Sequence, residues 1–325
     1  MIDTAGPLEG SFRYEGGVAV SLTAPGAGLT ALPSSIGELT GLRHIDLDGN
    51  ALTALPTEIA RLPRLETLLL YKNRLAAFPP ELGGVTSLRH LSVGGNLLSS
   101  VPETLWRLTG LRSLNLAENA FAEIPEAIGR LTALRMLDLG HNRLRRIPES
   151  IGDLTGLTDY LYLHDNELTS VPASLGRLDR LGYLNLAGNR LTALPGSIGG
   201  MAALHELRLQ DNRLTGVPAS VGRLVRLREL YLCGNRITEL PESVGAMSDL
   251  RLLDLRNNPL TRLPAAVVRL TRLRHLDLRA TRLRELPDGL GDLPRLEKLD
   301  LRWTKLDRMP GWIERLRERG CVVLR

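Results

Sequence analysis

Only two cysteines, Cys233 and Cys321, occur in 325 residues, and they stand far apart in the chain. That excludes a disulfide framework, and with no paired cysteines at either end it points to a reducing, cytoplasmic compartment. Aromatic residues make up 4% of the chain, so any clustering of the six tyrosines carries information. No apolar run approaches the ~20 residues that a membrane helix needs. The first residues, MIDTAGPLEGSFRYEGG, are polar and lack the basic-then-apolar order of a signal segment. No membrane association is expected. Phosphate loop, nucleophile elbow and dinucleotide fingerprint are all missing, so neither enzymatic activity nor a cofactor is expected. The net charge is +5, and from Arg236 onward 19 Lys/Arg stand against 13 Asp/Glu. This excess permits an acidic partner, but it is neither dense nor interleaved with aromatics as in a nucleic-acid binder, and none is expected.

What is present is a repeat. The stretch LETLLLYKN at 65–73 places leucines at Leu65, Leu68 and Leu70 and an asparagine at Asn73, followed by Leu75 and Pro79. Twenty-three residues on, the same types return as Leu88, Leu91, Val93, Asn96, Leu98 and Pro102. A fixed period of this length marks a solenoid, whose length counts repeats rather than domains. The asparagine position begins with Ala27, runs from Asn50 through Asn73, Asn96, Asn119, Asn142, Asn166, Asn189, Asn212, Asn235 and Asn258, and closes with Thr281 and Thr304, 13 positions in all. A proline column from Pro33 to Pro310 keeps step with it. Each turn therefore reads as a short strand around L-x-L, a bend at the asparagine, and a short helical or 3₁₀ segment after the proline. A buried asparagine amide can satisfy inward-pointing backbone groups of neighbouring turns, and a threonine hydroxyl can do only part of this.

The expected fold is an α/β solenoid with a parallel concave sheet and short convex helical or 3₁₀ segments. Residues 1–17 read as an N-terminal leader and 18–309 as about 13 solenoid turns. Residues 310–325 read as a capping helix (PGWIERLRER) and a closing strand (CVVL). One turn departs: Asn142 to Asn166 spans 24 residues, and the extra one lies within Thr158, Asp159 and Tyr160. It is either a bulge that re-aims a side chain or a tolerated loop insertion.

The string LTALPGSIG at 191–199 and its equivalents resemble the intracellular leucine-rich repeat family, in its 23-residue LTxLPxSIGxLxxLxxLxLxxN class found in Ras-suppressor-like and Scribble-type scaffolds. The resemblance covers roughly residues 29–316. It implies a leucine-rich repeat horseshoe that binds another protein on its concave face.

Residues between the inward leucines point out of the sheet and are the free choices of the sequence. Tyr71, Tyr160, Tyr162, Tyr183 and Tyr231 occupy or border such positions, the last four within four consecutive turns. Asp138, His164, His205, Glu206 and Arg208 share that surface. Tyrosine and arginine are typical of binding hot spots, although tyrosine also simply suits strands. The expected partner site is Tyr160, Tyr162, His164, Tyr183, Arg208 and Tyr231. Asp254, Asp277 and Asp300 form one column and Arg256, Arg279 and Arg302 the next. Arginines alone would suit a phosphate or carboxylate, but with acids beside them a self-neutralised lattice is expected. His164, His205 and Cys233 lie in different turns without short ligand spacing, so no metal site is expected, and Cys233 reads as an outward thiol. Trp106 and Trp312 fall on the helical side. Trp303 ends a strand, where it either anchors a partner or covers the thinning end of the core.

Together these readings give a monomeric, non-enzymatic protein-interaction module. The alternative is a targeting or substrate-recognition subunit of a larger ligase or kinase system, a bacterial effector being one version.

Overall fold

The computed structural model describes residues 11–325. The chain forms two compact units: one runs up to Leu144 and includes Asp153–Leu157, and the other comprises Arg145–Gly152 and Thr158–Arg325.

The first unit carries β1 (Phe12–Glu15), β2 (Val18–Thr23), β3 (His44–Asp46), β4 (Thr67–Leu69), β5 (His90–Ser92), β6 (Ser113–Asn115) and β7 (Met136–Asp138). β1 lies within the segment read as a leader and pairs antiparallel with β2, through a register shift between Arg13 and Tyr14. Residues 1–10 lie outside the described residues. From β2 onward neighbours pair in parallel without slippage, as in Leu68 opposite Leu91. The second unit carries β8 (Tyr160–Tyr162), β9 (Tyr183–Asn185), β10 (Glu206–Arg208), β11 (Glu229–Tyr231), β12 (Leu252–Asp254), β13 (His275–Asp277), β14 (Lys298–Asp300) and β15 (Val322–Leu324), all parallel to their neighbours. The helix α1 (Trp312–Glu318) precedes β15.

Each repeat strand from β3 to β14 has three residues, of which the middle one is a buried leucine or isoleucine. A strand this short has two outward side chains, so each turn contributes one residue to each of two columns on the open sheet face. Opposite the sheet run five-residue 3₁₀ segments such as Glu126–Arg130 and Gly196–Gly200. The prolines sit just before these segments rather than inside them. Pro125 is extended (φ −75°, ψ 160°), and its carbonyl accepts the Ile128 N–H at 3.1 Å, the first bond of the 3₁₀ turn. Proline pre-sets the φ this junction needs and gives up no bond there.

The glycines of these segments have a role beyond shortening the helix. A Cβ on Gly37 would lie 2.7 Å from the Glu58 carbonyl oxygen in the next turn, and one on Gly199 would overlap the Ser220 carbonyl. The turns approach too closely there for any side chain.

The asparagines form the expected ladder. The Asn73 amide nitrogen donates to Leu70 O at 3.1 Å and Leu47 O at 2.9 Å, and its oxygen accepts Leu52 N–H at 3.0 Å. Asn212 repeats this with Leu209 O, Leu186 O and Leu191 N–H. Thr281 and Thr304 each make one bond, to Leu278 O at 2.8 Å and Leu301 O at 2.7 Å. A second lattice has no clear counterpart in the 23-residue consensus. The residue before each ladder position is left-handed throughout, whether glycine (Gly26, Gly49, Gly95, Gly188, Gly234) or not (Lys72, Glu118, His141, Asp165, Asp211, Asn257, Ala280, Trp303).

Candidate functional site

Two columns of the second unit carry the expected site. Through the residues that open the strands, Tyr160 stands beside Tyr183, then Glu206, Glu229, Leu252, His275 and Lys298. Through the residues that close them, Tyr162 stands beside Asn185, then Arg208, Tyr231, Asp254, Asp277 and Asp300.

These registers bring the aromatics into contact. The rings of Tyr160 and Tyr162 stack with centroids 4.4 Å apart and 16° between planes. The Tyr183 ring meets Tyr162 edge-on at 5.2 Å, and the His164 ring also meets it edge-on, at 5.6 Å. Tyr231 lies two strands beyond Tyr183 and joins through a cation: the Arg208 guanidinium carbon is 5.8 Å from the Tyr183 ring centre and 4.8 Å from that of Tyr231. Glu206 holds Arg208 Nε at 2.6 Å, and the Tyr231 hydroxyl donates to Glu229 at 2.7 Å. The result is a half-buried strip in which each member packs against or is bonded to a neighbour, an arrangement that pre-orders the side chains. Such pre-organisation lowers the entropy lost on binding.

Burial pushes the Tyr183 hydroxyl up to about 12 against the opposing pull of Arg208. Burial, and after it the Glu229 hydrogen bond, pushes Tyr231 up as well. Both phenols are neutral donors at neutral pH.

The strip also interrupts a structural pattern. Where a strand closes on Asp or Asn, the side-chain oxygen accepts the N–H two residues on, as at Asn185 to Ala187 (3.1 Å) and Asp277 to Arg279 (3.1 Å). This Asx-type bond steadies the strand exit. Tyr162, Arg208 and Tyr231 occupy the same column and cannot make it. The aspartates are thus explained as exit bonds, and the tyrosines and arginine are departures from them.

The extra residue of the long turn is Asp159. In regular turns the residue directly before the strand offers its carbonyl to the next turn, as Gly182 O does to His205 N–H at 2.9 Å. At β8 that carbonyl belongs to Thr158, which accepts Gly182 N–H at 3.0 Å. Asp159 is extruded and exposed, and its carboxylate accepts the Thr158 hydroxyl at 2.8 Å. Tyr160 remains in register opposite Tyr183.

The aspartate and arginine columns are joined. Arg279 grips Asp277 through Nε at 2.9–3.0 Å and Nη2 at 2.5 Å, and reaches Asp300 at 3.3 Å. Arg302 grips Asp300 at 3.0 and 2.7 Å. Burial alone would raise the Asp300 carboxyl, but the Arg302 hydrogen bonds and the charges of Arg279 and Arg302 bring it below the ordinary carboxylate value. Asp254 is less well served. Arg256 Nε lies 3.3 Å away, and burial leaves this carboxyl raised.

Burial corrects the reading of Cys233 and decides that of Trp303. Cys233 is not an outward thiol: it is 6% exposed, Arg256 lies against its sulfur, and burial pushes its thiol up to about 11. Trp106 and Trp312 face the helical side but are core residues, buried by the packing of adjacent turns. Trp303 does not cover the core, being 71% exposed, with the Arg302 guanidinium carbon 5.6 Å from its ring centre. In the first unit, the remaining tyrosine of the outward set is Tyr71. Its hydroxyl donates to Glu118 two turns on at 2.6 Å, and Lys72 lies 5.1 Å from the ring centre.

A family profile described as leucine rich repeat matches residues 63–121, 158–214 and 225–283, and one described as leucine-rich repeat region matches 96–182. The chain belongs to the leucine-rich repeat family. A solved leucine-rich repeat protein of Leptospira interrogans is similar at 34% identity and a TM-score of 0.76, over 91% of this chain and 81% of that one. An internalin of Listeria monocytogenes shares the fold with a TM-score of 0.80 at 21% identity, over 94% of this chain and 86% of its own. A plant peptide hormone receptor, RGFR1, solved in complex with RGF2, is similar at 30% identity and a TM-score of 0.71 over 88% of this chain, which spans only 52% of that receptor. No curated protein matches the chain significantly. Among the described residues, no helix is long and apolar enough to cross a membrane. Leucine-rich repeats commonly serve as protein-interaction modules, and the residues that distinguish one such repeat protein from another are the outward ones just described.

Proposed function

We propose that this leucine-rich repeat protein is a non-enzymatic binding module whose protein partner lies on the open sheet face of the second unit, centred on Tyr160, Tyr162, His164, Tyr183, Arg208 and Tyr231. One observation carries the reading: an unbroken run of ring and cation contacts from Tyr160 through Tyr162, Tyr183 and Arg208 to Tyr231. Aromatic rings kept half-exposed on a sheet face serve folding no better than the serine or asparagine that β5 and β6 use there. They do supply rigid contact area with polar tips, the usual make-up of a binding hot spot. The two free, buried cysteines fit a cytoplasmic setting.

The test is a partner isolated by affinity capture with mass spectrometry, then titrated against the purified chain. The Tyr162→Ala and Tyr231→Ala changes should each weaken that complex by about 2 kcal/mol while leaving thermal stability nearly unchanged. Unaltered affinity in the double variant would move the partner off this face.

A further inference from the structure

Trp303 is an anomaly in its column. The position is left-handed in every turn, and glycine, aspartate or asparagine occupies most turns. Trp303 adopts φ +61°, a conformation bulky side chains rarely take, and has the highest exposure of the large apolar side chains among the described residues. Neither backbone comfort nor core packing accounts for a tryptophan there.

Beside it lies a recess of about 210 Å³ whose wall includes Asp211, Cys233, Arg256, Asn257, Arg279 and Trp303. Its two guanidiniums are not equivalent. Arg279 is committed to Asp277 and Asp300 by the close contacts described above. Arg256 has one ion pair, to Asp254 at 3.3 Å, and points Nη2 at the Cys233 sulfur 3.8 Å away. Sulfur is a weak acceptor, so Arg256 retains donor capacity on the recess side. Asp211 is the one acid in the wall and sits against Gly234. The surrounding chain, from Arg236 onward, has 19 Lys/Arg against 13 Asp/Glu.

We propose that this recess docks an acidic side chain with an apolar neighbour, presented by an extended segment of a protein partner. The carboxylate meets the free donors of Arg256, and the apolar neighbour lies on the exposed face of the Trp303 indole. Arg302, stacked on the indole, adds to the field that draws the segment in. The site shares no residue with the tyrosine strip and does not rest on the function proposed for it.

The probe is a fluorescein-labelled short peptide alternating glutamate and phenylalanine, titrated into the full chain and followed by anisotropy. Saturable binding is expected that weakens as salt is raised and is lost when glutamine replaces glutamate. Arg256→Ala and Trp303→Gly should each weaken it at least tenfold, and the double change Tyr162→Ala with Tyr231→Ala should not alter it. Trp303→Gly suits the left-handed backbone, so it tests the indole without threatening the fold. Arg256→Gln substitutes if Arg256→Ala lowers the melting temperature. The proposal is overturned if the wild-type chain does not bind the glutamate peptide, or if neither variant at these two positions matters. Displacement by inorganic phosphate at the peptide's own concentration also overturns it, in favour of a simple anion site.

Discussion

The guanidinium carbon of Arg208 lies 4.8 Å from the centre of the Tyr231 ring, over its face. The Tyr183 ring centre lies 5.8 Å from the same guanidinium carbon, and Glu206 holds Arg208 Nε at 2.6 Å. One arginine thus links two tyrosines from strands on either side of its own.

This arrangement has an alkaline signature. The Tyr183 hydroxyl is raised to about 12 by burial, while Arg208 pulls it down. A phenol raised in the folded state stabilises fully below the unfolded value near 10, and that contribution is lost as pH climbs through the folded value. Stability should therefore fall between about pH 10 and 12. Tyr183→Phe should flatten that fall. Arg208→Ala should move the Tyr183 transition to higher pH in an ultraviolet difference titration; a shift to lower pH would contradict the contact.

The ladder predicts unequal losses. Asn142 donates to Leu116 O, Leu139 O and Gly140 O at 3.0–3.1 Å and accepts Phe121 N–H at 3.1 Å. Asn142→Leu leaves these buried groups unpaired and should destabilise by about 1–3 kcal/mol. Thr281→Val removes a single bond and should cost about 1 kcal/mol. Urea denaturation midpoints of the two variants measure the difference.

The glycines divide by contact. Gly199→Ala drives a Cβ into the Ser220 carbonyl and should destabilise by about 1–3 kcal/mol, since neither backbone can retreat without disturbing its turn. Gly196→Ala, three residues earlier, meets nothing within 4 Å and should be neutral or slightly stabilising. Thermal melts of this pair test whether inter-turn approach sets the glycine column.

Two aspartates of one column should respond oppositely. Asp254 is raised by burial, so its charged form costs stability; the folded state gains as pH falls below its own elevated value, and Asp254→Asn should stabilise near neutral pH. Asp300 is lowered, so its contribution is present above the unfolded value and lost as pH falls through the folded one. Asp300→Asn should destabilise at pH 7 by about 1–3 kcal/mol through lost charge-assisted hydrogen bonds. Chemical denaturation at pH 7 and pH 4 separates the two.

How far the chain could be read in advance follows from the kind of interaction involved. The strands, the ladder and the outward placement of the tyrosines were legible because a repeat copies each local choice at a fixed interval. Leu68 and Leu91 can play only one role if 23 residues separate equivalent positions. The placement of Tyr160 opposite Tyr183 survives the 24-residue turn because Thr158, not Asp159, supplies the inter-turn carbonyl. A 24-residue spacing is met by an extra residue at Thr158, Asp159 or Tyr160 alike, and only the inter-turn hydrogen bond distinguishes them.

The sequence by itself determined the period, the parallel pairing and which side chains leave the sheet, since alternation in a three-residue strand allows no other assignment. Tertiary structure alone decided what happens between neighbouring columns. Arg256 lies against Cys233, whose spacing had read as outward, while Arg279 closes on its aspartates and leaves no comparable freedom. It also decided that Trp106 is enclosed while Trp303 stands exposed on a left-handed backbone. Those outcomes depend on side-chain directions and on distances across turns, which the repeat lattice leaves open and only packing fixes.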